Sequence, residues 1–467
     1  MPLKPSPAKP AATTRVEQVV GTITRLIETE MLKAGTKLPS IRRAAEEYDV
    51  SKNTIIEAYE RLVASGWIVS RPGSGFTVKR RERLPPNERP RHVAEAIDIA
   101  SLLNAQLEES FSIRVGDGRP PASWTEESEI RRHLGLQVTR RGREDGYGSA
   151  LGDPSLRERL ATHLHAHDLR ASADQILLTF GANHALDLII RRFLMAGDTV
   201  FVDDPGYYPL FAKLRLAQIE IVGIRRSPTG PDIGDLATKL AQYRPRMFFT
   251  QSVGHNPTGG TTNLPTAHAI LKLASQHDFL IVEDDPFVDL PTVDNLRLTS
   301  LDQLDSVISI GTFSKTLSAS LRCGYVAARP DLIGSLAELK MLTTVNSSGH
   351  VERLVESLMA DGHYRRHLKR LGSRIRAATD RVISSFERRG FEIFTPPTGA
   401  YYVYLMLPPG VDDIQLAREA AKQGIFLAPG SVFTIDKAAS RNGTRINISR
   451  ADEPKFYNFL TRTLGKV

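Results

Sequence analysis

From about residue 113 onward, short apolar runs rich in β-branched residues alternate with stretches whose apolar residues recur at helical spacing. That alternation constrains the fold more than any other feature of the chain. Strands joined through helices pack as a mostly parallel sheet with helices on its faces, an α/β fold. Ligands of such sheets bind just beyond the carboxyl ends of the strands. The residues at the strand ends therefore carry the functional argument.

Five strand ends are informative. Ile176-Leu177-Leu178-Thr179 runs into Phe180-Gly181-Ala182-Asn183, and a helix is expected from about His184 to Met195. A glycine lets backbone approach a ligand, and a helix N-terminus favours phosphate. Thr199-Val200-Phe201-Val202 leads to Asp203-Asp204-Pro205-Gly206-Tyr207, whose ring can stack on a flat cofactor. Met247-Phe248-Phe249-Thr250 leads to His255-Asn256-Pro257-Thr258-Gly259. Phe279-Leu280-Ile281-Val282 leads to Glu283-Asp284-Asp285. Val307-Ile308-Ser309-Ile310, with Gly311 expected to end the strand, leads to Thr312-Phe313-Ser314-Lys315. A lysine amine forms a Schiff base with an aldehyde, and hydroxyls with Arg322 suit a phosphate. A phosphate nest, a ring stacker, an amide, a carboxylate and a lysine are the parts of a pyridoxal phosphate site. His255 reads as a structural group and His184 as a helix-surface residue.

The first fifth of the chain is different. Residues 1–92 hold 17 Lys and Arg against 10 Asp and Glu, so nearly all of the net +8 lies there. That asymmetry suggests an anionic partner, most simply nucleic acid. Residues 1–14 are rich in Pro, Ala and Lys and read as a disordered tail. A helix is expected from Arg15 through Met31, closed by Gly35. Ser40 caps a second, Ile41 to Tyr48. Ser51 caps a third, Lys52 to about Ser65, with Ile55, Ile56, Tyr59 and Leu62 as its apolar positions. A hairpin follows, Gly66 to Arg71 and Phe76 to Val78, around Pro72-Gly73-Ser74-Gly75. Two short helices and a turn make a helix-turn-helix, and the hairpin is its wing. Prolines from Pro85 to Pro90 rule out a helix in the basic stretch that follows, which reads as a tether over about 81–112.

The 467 residues exceed what one core normally serves, so at least two domains are expected. Cys323 is the only cysteine, which excludes an intramolecular disulfide and a cysteine metal cluster; no metal site is expected. The start of the chain lacks a signal-peptide apolar core, and no apolar run is long enough to cross a bilayer. A cytoplasmic location is expected.

Residues 15–80 resemble the winged helix-turn-helix domain of the GntR regulator family. The matching stretches are Lys37-Leu38-Pro39-Ser40-Ile41-Arg42, Val50-Ser51-Lys52-Asn53-Thr54-Ile55, Ala58-Tyr59-Glu60-Arg61-Leu62, Gly66-Trp67 and Gly73-Ser74-Gly75-Phe76. The resemblance implies that Arg42, Arg43, Ser51, Lys52, Asn53 and Thr54 face operator DNA, with Gly75 near the minor groove. Residues 113–467 resemble the fold-type I aminotransferases, with a large lobe around a mostly parallel sheet and a smaller C-terminal lobe over about 346–467. That implies pyridoxal 5'-phosphate as cofactor and Lys315 as its Schiff-base lysine. It also implies Asp284 on the pyridine nitrogen, Asn256 on the ring hydroxyl and Tyr207 stacked on the ring. Gly181, Ala182, Asn183, Thr312, Ser314 and Arg322 would hold the phosphate. Tyr147, in Tyr147-Gly148-Ser149-Ala150-Leu151-Gly152, matches a tyrosine that reaches the phosphate of the neighbouring subunit. Arg445, in Thr444-Arg445-Ile446-Asn447, matches the arginine that grips a substrate carboxylate. Where relatives often have a tyrosine after the Asp284 motif, Pro286 and Phe287 stand, which puts efficient transamination in question.

A winged helix ahead of an aminotransferase-like domain resembles the MocR-type regulators. This implies a homodimer that binds operator DNA and senses an amino compound through aldimine formation. Two alternatives are a working aminotransferase with an attached DNA-binding domain, and a regulator that senses pyridoxal phosphate itself.

Overall fold

Near-continuous apolar sequence marks strands buried on both faces, and the strands Ile176–Thr179 and Met247–Thr250 of the central sheet show it. A computed structural model describes residues 14–28, 31–71, 75–79, 111–125, 130–135, 146–293, 296–435 and 442–465. The expected tail and most of the expected tether lie outside the described residues. By its internal contacts the chain divides into two units, Met1–Arg89 and Pro90–Val467.

In the first unit, helices Arg15–Glu28, Ile41–Glu47 and Lys52–Ala64 precede β1 (Ile68–Arg71) and β2 (Gly75–Val78). β1 and β2 pair antiparallel, with Ile68 opposite Val78. The hydroxyls of Ser40 and Ser51 accept from the backbone N–H groups of Arg43 and Thr54, so both expected caps are present. Val19, Ile23, Leu38, Ala44, Ile55, Ala58, Tyr59, Leu62, Ile68 and Val78 form the core. Two expectations are corrected. The first helix stops at Glu28 rather than Met31, which is exposed. Gly35, with φ +85°, instead donates to the carbonyl of Val78 and ties the loop to the wing. Ile56 is also exposed. The buried face of its helix runs through positions 55, 58, 59 and 62, and position 56 is turned about 100° from it.

The second unit is built on an eight-stranded sheet. Its strands are β3 (Ile176–Thr179), β4 (Thr199–Asp204), β5 (Glu220–Ser227), β6 (Gly230–Pro231), β7 (Met247–Thr250), β8 (Leu280–Asp285), β9 (Val307–Thr312) and β10 (Gly324–Ala327). The order is β3-β10-β9-β8-β7-β4-β5-β6. β9, β8, β7, β4 and β5 are mutually parallel, β10 runs against both its neighbours, and β6 runs against β5. All four residues of β3 and of β7 are buried. Gly311 does not end β9 as expected. It lies inside the strand opposite Tyr325, where a Cβ would come within 2.2 Å of the Tyr325 ring. The glycine admits that ring and the strand continues to Thr312.

The C-terminal part carries a second, antiparallel sheet of β11 (Tyr402–Met406), β12 (Ala428–Pro429) and β13 (Gly443–Asn447), in the order β11-β13-β12. The long helix His363–Arg388 buries Leu371, Ile375, Ala378, Val382 and Phe386 in the same core as this sheet. Ile113 and Val115, distant in sequence, join that core. Their segment is laced to it by backbone bonds from Gly116 to Phe426, from Phe426 to Ile113 and from Asn447 to Val115. Among the described residues no helix is long and apolar enough to cross a membrane.

Candidate functional site

The carboxyl ends of β3, β4, β7, β8 and β9 lie along one edge of the sheet, because β10 reverses direction relative to both β3 and β9. This register brings most of the expected residues together.

Lys315 follows β9 by three residues and is partly buried. Its Nζ donates to the carbonyl of Gly118, which also accepts from the Tyr402 hydroxyl at 2.8 Å. Burial, and then the nearby Arg445, push the Lys315 amine down to about 8. Only the neutral amine is a nucleophile. Capture of an aldehyde by Lys315 is therefore expected to speed up about tenfold per pH unit up to about pH 8 and to level off above it. A stopped-flow series of pyridoxal phosphate association against pH checks this; a profile still climbing at pH 10 would mean the amine is not depressed.

Asp284 lies in β8. Its Oδ2 accepts from Gln251 Nε2 at 2.7 Å, while its buried Oδ1 has no partner among the described residues. Burial raises the carboxyl to about 6. A bare buried carboxylate oxygen is costly unless something pairs with it, and the protonated nitrogen of a pyridine ring is such a partner. Tyr207, Gln251, His255 and Asp284 line one small cavity at the strand ends. Burial, and then Asp284, raise the Tyr207 phenol.

The anion-binding group is assembled from two strands. Gly181, at φ +86°, caps the helix Ala182–Phe193. A Cβ there would stand 3.0 Å from Nη2 of Arg322, so glycine keeps the helix N-terminus open to that guanidinium. Arg322 donates to Ser314 Oγ at 3.3 Å and to the carbonyl of Phe180 at 2.9 Å. Thr312 Oγ1 lies 3.1 Å from Ser314 Oγ. Two hydroxyls, a guanidinium and a helix N-terminus thus converge, the set an anionic group needs. Asn183 is exposed in the first turn of that helix. His184 is not the surface residue expected. Its Nδ1 accepts from Phe180 N at 3.2 Å, and burial holds its pKa down at about 4.

Arg445 lies in β13 and is buried. It donates through Nη1 to Asn256 Oδ1 at 2.9 Å and through Nη2 to the carbonyl of Gly116 at 2.7 Å. Its guanidinium sits 4.9 Å from the Phe433 ring centre and 5.2 Å from that of Tyr402. Both Nη partners are neutral oxygens, and the buried Nε has no partner among the described residues. An anionic ligand would supply the missing charge. Phe287 is fully buried, edge-on to Tyr401 and Tyr402, and offers no hydroxyl. His255 is the structural group expected: Nδ1 lies 2.8 Å from Thr258 Oγ1, and burial keeps the ring neutral. Tyr147 is not brought to the cluster and stands 89% exposed. The amine, the bare carboxylate oxygen and the anion nest fit pyridoxal phosphate.

Three members were missed in the sequence: Gly118, Gln251 and Tyr402. Gln251 is the residue just after β7, in a loop read for Asn256 and His255. Gly118 lies 197 residues before Lys315, and Tyr402 lies well after it in the C-terminal sheet, so no local pattern connects them.

In the first unit, Arg42, Arg43, Lys52 and Asn53 are exposed. Ser51 and Thr54 bond each other at 2.8 Å, so part of their hydrogen-bonding capacity is spent in the cap. Gly75 is exposed at φ +84°, and the rest of the wing tip lies outside the described residues.

The family model described as aminotransferase class I and II matches residues 115–462, and that of bacterial regulatory proteins of the gntR family matches residues 15–78. The chain is 28% identical to the HTH-type transcriptional regulator YjiR of Escherichia coli strain K12, over 93% of this chain and 94% of that protein. It is also 28% identical to aromatic-amino-acid aminotransferase 1 of Thermococcus litoralis, over 68% of this chain and 78% of that one. Among solved structures, the kynurenine aminotransferase of Pyrococcus horikoshii superposes with a TM-score of 0.72 at 26% identity, covering 79% of this chain and 93% of that one.

Proposed function

This chain belongs to the aminotransferase class I and II family and carries a gntR-family DNA-binding domain ahead of it, the MocR-type architecture; from that premise we propose that it is a cytoplasmic, homodimeric, pyridoxal-phosphate-dependent transcription regulator that senses an amino compound. Bound pyridoxal phosphate supplies an aldehyde for amines to condense with and an electron-withdrawing ring. Lys315 is the amine that anchors it. Asp284 keeps the ring nitrogen protonated, Tyr207 stacks on the ring, and Asn256 bonds the ring hydroxyl. Gly181, Ala182, Asn183, Thr312, Ser314 and Arg322 hold the phosphate, with Tyr147 of each subunit reaching towards its partner's site. Arg445 grips the carboxylate of an incoming amino compound. The amine of a compound held there would replace the Lys315 amine on the cofactor aldehyde carbon, and the difference between the two occupied states would be passed to the DNA-binding domain. Such coupling requires that the compound bind the two states with different affinity.

The observation that carries this reading is the buried, unpartnered Oδ1 of Asp284 in the same site as the depressed amine of Lys315. The test joins two measurements on the full chain. One is the visible spectrum with pyridoxal phosphate before and after a panel of amino compounds. The other is operator affinity under the same conditions. A band that shifts with one compound and stays, with a change in DNA affinity, supports the reading. Absence of any cofactor band sinks it.

The placement of Lys315, Asp284 and Arg445 together also favours a second reading, a working aminotransferase. The buried phenyl ring of Phe287 stands against it, because it donates no hydrogen bond for control of proton transfer. Sustained turnover with a keto acid would establish that reading. A response of DNA affinity to pyridoxal phosphate alone would point instead to a sensor of the cofactor.

A further inference from the structure

Four groups form one unbroken line of hydrogen bonds across the site. Gln251 Nε2 donates to Asp284 Oδ2 at 2.7 Å, and Asn256 N donates to Gln251 Oε1 at 2.8 Å. Asn256 Oδ1 in turn accepts from Arg445 Nη1 at 2.9 Å. The orientation of the Gln251 amide is not arbitrary. Its oxygen is fixed by a backbone N–H, so its NH2 must face the carboxylate. Gln251 is 6% exposed, which leaves little water to replace either bond.

We propose that Gln251 is the positioning residue of the site: it pins Oδ2 of Asp284 so that Oδ1 is presented bare to the cofactor nitrogen, and it ties that carboxylate through Asn256 to Arg445. This rests on the cofactor reading above. A neutral amide suits the task, since it donates to the carboxylate without neutralising its charge. The other groups facing Asp284 are Lys315, Asp285 and the phenols of Tyr207 and Tyr402, with His255 and Asp203 lining the adjoining cavity. Asp285 is itself paired with Arg297, and His255 is neutral. Burial raises Asp284 to about 6, and the Gln251 bond opposes that rise.

The test is the pH dependence of pyridoxal phosphate affinity in the full chain. Ionised Asp284 favours binding, so affinity is full above the pKa of the free protein and falls as pH drops through about 6. Gln251→Met keeps the length of the side chain and removes both bonds. The break is expected to move up by about one pH unit, the worth of one charge-assisted hydrogen bond. The resulting loss of cofactor affinity is expected to be about twofold at pH 7 and to approach tenfold well below pH 6. Asp284→Asn should show no such break, which separates it from ionisation of the cofactor phosphate. Gln251→Glu, which still accepts from Asn256 N but loses the donor, should move the break the same way and covers the case in which the methionine variant fails to fold. A Gln251→Met protein with the wild-type break and affinity overturns the inference and leaves the cofactor reading standing. A wild-type protein that binds no pyridoxal phosphate overturns both.

Discussion

Lys315→Ala is expected to abolish the covalent link to pyridoxal phosphate and with it every response of DNA affinity to amino compounds. Borohydride reduction followed by peptide mass spectrometry should add the cofactor mass to Lys315 in the wild type and nowhere in the variant. The cofactor should still bind, through Asp284 and the anion nest around Arg322, but should leave on dialysis. A second effect runs the other way. The amine of Lys315 titrates at about 8 instead of its ordinary value above 10. Below pH 8 the folded protein holds a partly desolvated ammonium that the unfolded chain leaves in water. Removing it is therefore expected to stabilise the cofactor-free protein by on the order of 2 kcal/mol at pH 7, a gain that shrinks as pH rises towards 10. Thermal unfolding of both proteins across that range checks it. A variant that is less stable at pH 7 would show that the lysine is held for packing, and a variant that keeps its effector response would end the proposed mechanism.

Arg445→Gln should separate carboxylated from uncarboxylated amines. The guanidinium is buried beside two aromatic rings, and among the described residues its Nη atoms donate to neutral oxygens. A carboxylate arriving there meets a charge in a dry, low-dielectric place, where losing the partner costs about 3 kcal/mol, roughly a hundredfold in affinity. Titration of the visible band should show that loss for α-amino acids. Simple amines without a carboxylate should bind as before. Arg445→Lys keeps the charge but not the planar fork, and an intermediate loss is expected. If the glutamine variant weakens both kinds of amine alike, Arg445 acts by holding Asn256 and Gly116 in place and does not contact the ligand.

Phe287 marks the clearest divergence from what the other strand ends suggest. Its ring fills space between Tyr401 and Tyr402. A side chain there contributes shape to the core of the site and no proton. That is compatible with a site that captures an amine and holds it.

The sequence by itself determined the local parts. The period of its apolar residues, its serine caps and its strand-end motifs identify the winged helix, the parallel sheet, Lys315, Asp284 and the glycine nest, because each depends on residues within one turn or one strand. Where local reading went astray, distant packing was the cause. Gly311 reads as a stop, yet it continues β9 because the Tyr325 ring lies against it. Ile56 reads as core, yet faces out because the buried stripe is set by the neighbouring helices. Only the tertiary structure decided that the carbonyl of Gly118 receives both Lys315 and Tyr402, that Arg445 is buried, and that Gln251 joins Asp284 to Asn256. Those contacts close over separations of up to hundreds of residues, and the register of a strand pair, with the burial that strips water from a charge, exists only once both partners have folded.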